Sequence, residues 1–299
     1  MKSVRTDYHV HPGYSIDASP VEIRDYCRRA VELGLREICF TTHFEFDPVR
    51  RDIDNFVILD GKRHPAHDLM WLEAYFKEIE DAQREFKDTG LKVKAGIEVG
   101  YDIGLEREIE RVLKDYPFDF VLGAIHCLDH IAISSMMESP QYFASRSPAE
   151  VREDYFTTLR EAVNTGFFDC IAHLDLYKRY GIKHYGSEIL TVHRGVIEPI
   201  LKEMARRNMG LEINTSSLRR GVKEFHPSRE IISLAVEAGV TIFTVGSDAH
   251  SPEDLGDHID EALALLEEFG LCNHVFTKRR AVPCVESAGS GTGGGGAVG

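Results

Sequence analysis

The chain has 299 residues, and its 35 basic and 49 acidic side chains give a formal net charge of −14. A hydrophobic fraction of 43% and a charged fraction of 28% are typical of a globular protein and argue against general disorder. The acidic balance disfavours nucleic acids and membranes as partners, because non-specific binding to either needs a broad positive surface. The sequence also lacks an apolar run of the roughly 20 residues that span a bilayer, and it does not begin with a signal-peptide pattern. We therefore expect a cytoplasmic protein.

Short apolar strands alternate with helices along the chain. After a first strand at 5–11, Ser19-Pro20-Val21-Glu22 has the pattern of a helix capping box with proline at the first helical position, and Ser147-Pro148-Ala149-Glu150 repeats it. Further strands are predicted at 37–42, 92–99, 119–125, 169–172, 211–213 and 241–246, with a short terminal strand at 275–276. Helices are predicted at 21–33, 68–87, 105–114, 148–164, 189–207, 228–238 and 252–269. The polar segments 44–67 and 127–146 are predicted to be rim loops that supply substrate specificity.

The strands are apolar on both faces, which suits a parallel sheet covered by helices. Seven or eight strand–helix units fit a closed α/β barrel better than an open sheet, and the G-x-G-x-x-G turn common in open doubly wound sheets is missing. We predict a single α/β domain over residues 1–284. Residues 285–299 are rich in glycine and have the composition of an added linker, so we expect them to form a disordered tail.

The first strand carries the sequence Asp7-Tyr8-His9-Val10-His11. Because side chains alternate between the two faces of a strand, Asp7, His9 and His11 point the same way. Two imidazoles placed in this way can bind one metal ion, and a carboxylate beside them can orient one of the rings. This motif alone is equally compatible with hydrogen-bonded histidines at a polar strand end.

Metal-capable side chains also follow most of the other predicted strands. They are His43, Glu98, His126, His173, Asp248 and His250. In a parallel barrel these strand ends meet at one face, where such barrels carry their active sites. Imidazoles and carboxylates packed together without a metal would be short of partners, so the whole set predicts a metal site. With Asp17 it offers about nine ligands, enough for two or three ions, and the mixed donors favour zinc, manganese or iron.

Several short motifs occur in a fixed order along the chain. They are Asp7-x-His9-x-His11, Asp17, Thr42-His43, Gly96-Ile97-Glu98, Ile125-His126, Ala172-His173-Leu174-Asp175 and Gly246-Ser247-Asp248-Ala249-His250. This order resembles the PHP (polymerase and histidinol phosphatase) superfamily, and within it the stand-alone histidinol-phosphate phosphatases. The resemblance implies a distorted (β/α)7 TIM-like barrel with a trinuclear metal centre. It assigns one ion to His9, His11, Glu98 and Asp248, a second to Glu98, His126 and His173, and a third to Asp17, His43 and His250.

The resemblance also implies a reaction, the hydrolysis of a small phosphomonoester. L-Histidinol phosphate, an intermediate of histidine biosynthesis, is the expected substrate. In this hypothesis a metal-bound hydroxide, held by Glu98, Asp248 and the histidine ligands, attacks phosphorus in line with the leaving alkoxide.

Other side chains near the predicted strand ends are candidates for supporting roles. Candidates for phosphate binding are Lys178, Arg179, Arg219 and Arg220, each equally well explained as a solvated surface charge. If Arg219 binds phosphate, its removal should raise KM. Asp7 and Asp175 are candidates to orient metal ligands. Glu45 or Asp47 could meet the amino group of histidinol phosphate.

Three other functions are compatible with parts of the sequence. A related phosphoesterase could act on nucleotides or oligonucleotides, although the net charge and the absence of a basic groove disfavour a polymer substrate. A metal-dependent amidohydrolase would usually add a metal-bridging lysine at a strand end, which this sequence lacks. A non-catalytic metal-binding module is disfavoured by the complete ligand set, and metal analysis with one phosphatase assay would separate it from an enzyme.

Overall fold

The computed structural model describes residues 3–285, which form a nearly closed barrel of seven parallel strands. The barrel strands are Thr6–Val10 (β1), Glu37–Phe40 (β2), Lys92–Gly100 (β3), Phe120–Ala124 (β4), Cys170–Ile171 (β5), Gly210–Asn214 (β6) and Phe243–Gly246 (β7). Each strand pairs in parallel with the next one in this order. The barrel closes where the backbone N–H of His11 donates to the carbonyl of Ala249 at 2.8 Å. The predicted (β/α)7 TIM-like barrel is therefore confirmed, while most of the predicted tail, from residue 286 on, lies outside the described residues.

Helices cover the outside of the barrel and connect its strands. They are Ile23–Glu32 (α1), Met70–Glu85 (α2), Glu106–Asp115 (α3), Ser139–Ala144 (α4), Pro148–Thr165 (α5), Lys178–Tyr185 (α6), Ile197–Arg206 (α7), Ser216–Arg219 (α8), Arg229–Glu237 (α9) and Ile259–Glu268 (α10). In α1 the buried residues Ile23, Cys27 and Ala30 lie at helical spacing, so one apolar face packs inward. Within residues 3–285, every helix is too short or too polar to cross a membrane.

Only one of the two predicted capping boxes forms. At α5 the Ser147 hydroxyl accepts from the Glu150 N–H at 3.3 Å, and the Glu150 carboxylate accepts from the Ser147 N–H at 2.7 Å. The capping box predicted at Ser19 does not form, because α1 begins only at Ile23. The N–H of Ile23 donates instead to the carboxylate of Glu78 in α2, at 2.7 Å. The Ser19 N–H instead donates to the carbonyl of His250 at 2.7 Å, which ties this segment to the end of β7.

The long connections contain more structure than the sequence predicts. Segment 44–67 includes a hairpin of strands Phe56–Leu59 and Lys62–Pro65. Segment 127–146 includes a second hairpin, Cys127–Leu128 with Ile131–Ala132, followed by α4. The helix predicted at 189–207 begins only at Ile197, because α6 and a 3-10 turn occupy residues 178–191. Both rim segments, which follow the carboxyl-terminal ends of barrel strands, therefore contain regular secondary structure.

A terminal hairpin packs against the end of the barrel where its strands begin. The predicted strand at 275–276 is confirmed as part of His274–Thr277, which pairs with Arg280–Pro283. The Phe276 ring lies 4.8 Å from the ring of Phe120 in β4 and 6.1 Å from that of Tyr8 in β1. This aromatic cluster packs inside the amino-terminal end of the barrel, opposite the face that carries the predicted ligands.

Candidate metal centre

Glu98 lies at the middle of the carboxyl-terminal face, fully buried near the end of β3. Five imidazoles surround its carboxylate. The nitrogen–oxygen distances are 3.4 Å for His9, 3.6 Å for His11, 2.8 Å for His43, 3.3 Å for His126 and 3.0 Å for His173. These histidines come from β1 and from the segments that follow β2, β4 and β5. The convergence of strand-end ligands that the sequence predicts is therefore present.

Overlapping groups of donor atoms within the centre could each hold a metal ion. In each group the ligand atoms lie within 4.8 Å of one another. The groups are His9 with His11 and Asp248, His9 with Glu98 and His173, His43 with Glu98 and His126, and His11 with His43 and His250. Because Glu98 and three histidines each belong to two groups, the geometry suits adjacent ions with shared ligands rather than one isolated ion.

Asp17 lies at the outer edge of these groups. One carboxylate oxygen is 3.3 Å from Nε2 of His250, and the other is 3.6 Å from Nε2 of His43. Burial raises the pKa of Asp17, but the imidazoles of His43 and His250 outweigh it and hold the pKa well below its usual range. The Asp17 side chain is 57% exposed, so this corner of the centre is its most open side.

The polar atoms of the centre lack enough partners within the protein. Nε2 of His9 and Nε2 of His11 are buried and form no hydrogen bond with any of residues 3–285, and Oε2 of Glu98 has no well-aligned donor, although Nδ1 of His43 lies 2.8 Å away. Burial, then the neighbouring His43 and His250 rings, lower the pKa of His11 well below its usual value. Burial also lowers the pKa of His173 to about 4. Unpartnered imidazole nitrogens beside carboxylates fit divalent cations, which would satisfy atoms that are otherwise costly to bury.

A cavity of about 470 Å³ opens onto the centre. Asp17, His43, His126, His173, Asp248 and His250 line its floor. Its walls come from the two rim segments and from α6 and α8, through Arg50, Asp54, Glu138, Arg179 and Arg220. The volume suits a small molecule rather than a polymer.

Comparison with known proteins identifies the family. A family model of the PHP domain matches residues 7–216. The chain belongs to the PHP domain family. It is 28% identical over 281 residues to a probable histidinol-phosphatase of Deinococcus radiodurans, covering 93% of this chain and 98% of the relative. It is also 28% identical over 268 residues to a histidinol-phosphatase of Lactococcus lactis, covering 89% of this chain and 91% of the relative.

A solved structure shares the fold of this PHP protein. It is a histidinol phosphate phosphatase from Lactococcus lactis in complex with zinc, L-histidinol and phosphate. The two chains superpose with a TM-score of 0.77 at 26% identity, covering 93% of this chain and 98% of the other. The similarity therefore extends over most of both chains.

Glu212 contacts the ring of His9, the first predicted metal ligand along the chain. It was not among the site residues predicted from the sequence. Its Oε1 lies 2.6 Å from Nδ1 of His9, and its Oε2 accepts from Asn214 at 3.2 Å. A proton on Nδ1 shared with Glu212 leaves Nε2 of His9 free for a metal. A Cβ atom at Gly246 would lie 2.5 Å from Glu212 and 2.4 Å from Cβ of His9, so only glycine permits this contact. The signal in the sequence is an acidic residue inside the apolar strand Gly210–Asn214.

The electrostatics of this pair follow from its burial. Burial is the largest influence and lowers the pKa of His9, but Glu212 and then Glu98 outweigh it and raise the pKa well above its usual value. Burial is also the largest influence on Glu212. It raises the pKa of this carboxyl to about 7, although His9 opposes the shift. The short contact between Nδ1 of His9 and Oε1 of Glu212 holds the ring in one orientation.

Glu45 contacts the ring of His126 in the way that Glu212 contacts the ring of His9. Its Oε1 lies 2.7 Å from Nδ1 of His126. A Cβ atom at Gly100, the last residue of β3, would lie 1.9 Å from Oε2 of Glu45, so this contact also requires glycine. Glu45 is thus engaged with a ligand and is not free for a substrate amino group. The other candidate, Asp47, is also engaged, because its Oδ2 lies 2.6 Å from Nδ1 of His130.

Asp7 and Asp175, the residues predicted to orient metal ligands, do not contact the ring of a predicted ligand. Asp7 accepts from the N–H groups of Ser247 and Gly256, each at 2.9 Å, and so fixes the segment that carries Asp248. Asp175 lies 2.7 Å from Nδ1 of His226 and accepts from the N–H of Ser228 at 2.9 Å. Both are buried carboxylates that join loops beside the centre.

Two of the predicted ligands have unusual backbone conformations. His173 has φ 46° and Asp248 has φ 54°, in the left-handed region that non-glycine residues rarely occupy. Each follows the end of its strand by two residues, where the chain turns sharply toward the centre. Such strain is typical of functional sites and is sustained by the surrounding packing.

The four candidate phosphate-binding residues separate into two pairs. Lys178 is buried and donates to Ser228 at 2.9 Å and to Asp175 at 2.8 Å, so it is not available to a ligand. Arg219 donates to the carbonyls of Ser247 and Asp248 at 3.1 and 3.2 Å, so it supports the ligand segment from outside. Neither side chain is among those that line the cavity. The other pair, Arg179 and Arg220, lines the cavity.

Replacing Glu212 by glutamine is expected to lower metal affinity or kcat/KM about 10- to 100-fold, the usual effect of losing a partner of a ligand histidine. Metal content by mass spectrometry and phosphatase activity would measure it. Glu37→Gln is the matched control, because Glu37 is buried in the same barrel but bonds to Tyr8 at the opposite end. Equal losses in the two variants would contradict an orienting role.

Proposed function

We propose that this PHP protein is a metal-dependent phosphatase that hydrolyses L-histidinol phosphate to L-histidinol and inorganic phosphate. The observation that carries the proposal is the ring of five imidazoles around buried Glu98 at the floor of a small-molecule cavity. The Lactococcus lactis neighbour, which binds zinc, L-histidinol and phosphate, supports the choice of substrate.

The proposed cofactor is a cluster of two or three divalent ions, with zinc, manganese and iron as candidates. His9, His11, Glu98 and Asp248 would hold one ion, Glu98, His126 and His173 a second, and Asp17, His43 and His250 a third. When bound, the ions supply Lewis acidity that lowers the pKa of water and neutralises the phosphoryl oxygens. Glu212 and Glu45 keep two of the rings in the orientation that this cluster requires.

Arg179 and Arg220 are the groups of the chain that we propose bind the phosphate. Both line the cavity on the side of β5 and β6. Nη1 of Arg220 donates to the Ser216 hydroxyl at 2.9 Å, and this bond fixes its guanidinium at the cavity wall. Nε of Arg179 is buried and has no hydrogen-bond partner among residues 3–285. Guanidinium groups suit phosphate oxygens, which they can bind with two parallel hydrogen bonds.

Arg179→Gln and Arg220→Gln are each expected to raise KM for a phosphomonoester about 10-fold or more, because a hydrogen bond to a charged group contributes about 1.5–3 kcal/mol. Steady-state kinetics would measure the effect. Lys183→Gln is the control, since Lys183 lies on the same helix as Arg179 but is exposed. An unchanged KM in either arginine variant would remove that residue from the phosphate site.

Substrate comparison tests the proposed function. The purified protein would be loaded with zinc, manganese or iron and assayed with L-histidinol phosphate, nucleoside monophosphates and p-nitrophenyl phosphate. We expect the highest kcat/KM for L-histidinol phosphate. Preference for a nucleotide would indicate a different phosphoesterase, and metal binding without turnover of any ester would indicate a non-catalytic module.

A further inference from the structure

Arg50 is a buried arginine that joins the two rim segments of the cavity. It is 2% exposed and lies at the end of a 3-10 turn, Pro48–Arg50, beyond β2. Its Nε and its Nη2 both donate to Oδ2 of Asp54, the former at 2.8 Å. Its Nη1 and Nη2 donate to the two carboxylate oxygens of Glu138, at the start of α4, at 2.6 and 3.0 Å. One guanidinium therefore serves two carboxylates, and the group of three carries one excess negative charge.

Asp54, unlike Glu138, keeps one carboxylate oxygen without a hydrogen-bond partner among residues 3–285. Glu138 uses both of its oxygens for Arg50, whereas Asp54 uses only Oδ2. The other oxygen of Asp54, Oδ1, is buried and accepts no hydrogen bond from any of residues 3–285. Burial raises the pKa of Asp54, and Arg50 only partly offsets it. An unpartnered carboxylate oxygen in this position is costly unless a ligand supplies a donor.

Asp54 lines the cavity on the side away from the phosphate-binding arginines. Asp54 and Glu138 come from the segments after β2 and β4, whereas Arg179 and Arg220 follow β5 and β6. In the barrel, β2 and β4 flank β3, and β5 and β6 continue beyond β4. The cavity is therefore electrically asymmetric, with two arginines on one side and, on the other, two carboxylates that share the single guanidinium of Arg50.

This asymmetry matches a substrate that has a phosphate at one end and a cation at the other. We propose that Asp54 binds the ammonium group of the substrate through Oδ1 and so selects phosphate esters of amino alcohols over neutral esters. The inference rests on the proposed phosphatase function and adds its specificity-determining residue. Two other acidic residues of the same segment, Glu45 and Asp47, are not available for this role, because each is hydrogen-bonded to a histidine of the protein.

The test compares two esters that differ only in the amino group. The esters are L-histidinol phosphate and its desamino analogue, 3-(imidazol-4-yl)propyl phosphate. In Asp54→Asn the ratio of their kcat/KM values is expected to fall about 10- to 100-fold, the usual worth of a charge-assisted hydrogen bond. Because both values come from one preparation, the ratio does not depend on how much of the variant is folded.

Two further variants and a binding measurement complete the experiment. Asp54→Ser is expected to lower the ratio in the same way, and it replaces Asp54→Asn if that variant does not fold. Asp52→Asn, an exposed position on the same segment, is expected to keep the wild-type ratio. Calorimetry should show that L-histidinol binds the metal-loaded wild type more tightly than its desamino analogue, and that Asp54→Asn removes this difference.

The outcomes separate the two proposals. If the wild type prefers L-histidinol phosphate but Asp54→Asn and Asp54→Ser both keep its ratio, the role of Asp54 is disproved and the phosphatase function stands. If the wild type hydrolyses neither ester, the proposed function fails and the inference fails with it.

Discussion

Glu98→Gln is expected to lower kcat/KM about 10³-fold and to reduce the metal content of the purified protein, because a central negative charge would be lost from the site. Five imidazoles surround this carboxylate, and no other carboxylate among residues 3–285 contacts as many of the predicted ligands. Glutamine has nearly the same size but is neutral and offers only one weak oxygen donor. Metal analysis and phosphatase kinetics on the same preparation would measure both effects.

Glu78→Gln is the control for this variant. Glu78 is a half-buried glutamate of α2 that accepts hydrogen bonds from Tyr14 and from the N–H of Ile23, outside the metal centre. Its replacement should affect thermal stability without reducing metal content. If Glu98→Gln retained the wild-type metal content and kcat/KM, the proposed central role of Glu98 would be disproved.

Removal of the metal ions is expected to abolish phosphatase activity and to lower the melting temperature by about 10 °C. A ligand present at 1,000 times its Kd stabilises the folded state by about 4 kcal/mol, and in a domain of this size each kcal/mol corresponds to about 2–4 °C. Unpartnered buried nitrogens of His9 and His11 are the physical reason for the loss. Calorimetry before and after treatment with a chelator would measure the shift.

Restoring the ions provides the control. Addition of zinc or manganese to the chelated protein should recover both activity and melting temperature. The same treatment should shift the melting temperature of Glu98→Gln less, because that variant binds less metal from the start. Full activity of a protein shown to be free of metal would contradict the proposed mechanism.

The strand-end ligands could be predicted because their position follows from local pattern. The end of each strand can be located from the residue at which its apolar run stops. Parallel strands in a barrel place these ends at one face. His9, Glu98 and His126 could therefore be brought together without knowledge of any contact between them. The capping box at Ser147 was predictable for the same reason, since its partners are three residues apart.

The partners of the ligands were not predictable, because they lie far apart in the sequence and no spacing rule connects them. Glu212 contacts His9 across 203 positions, and Glu45 contacts His126 across 81. Orienting roles were predicted for Asp7 and Asp175 because each shares a face of the chain with a histidine two positions away. Their carboxylates bind backbone groups and a different histidine.

The sequence by itself predicted the barrel, the family and the convergence of the candidate ligands, because apolar strands, strand-end positions and short motifs are local properties of the chain. The tertiary structure decided how each charged side chain is used. Lys178 donates to Ser228 and Arg219 donates to the carbonyl of Ser247, so both bind groups of the protein itself. Arg179, Arg220 and Asp54 line the cavity. The reason is physical: a charged group takes whichever partner the folded chain places within hydrogen-bond distance, and that partner is set by packing rather than by order along the chain.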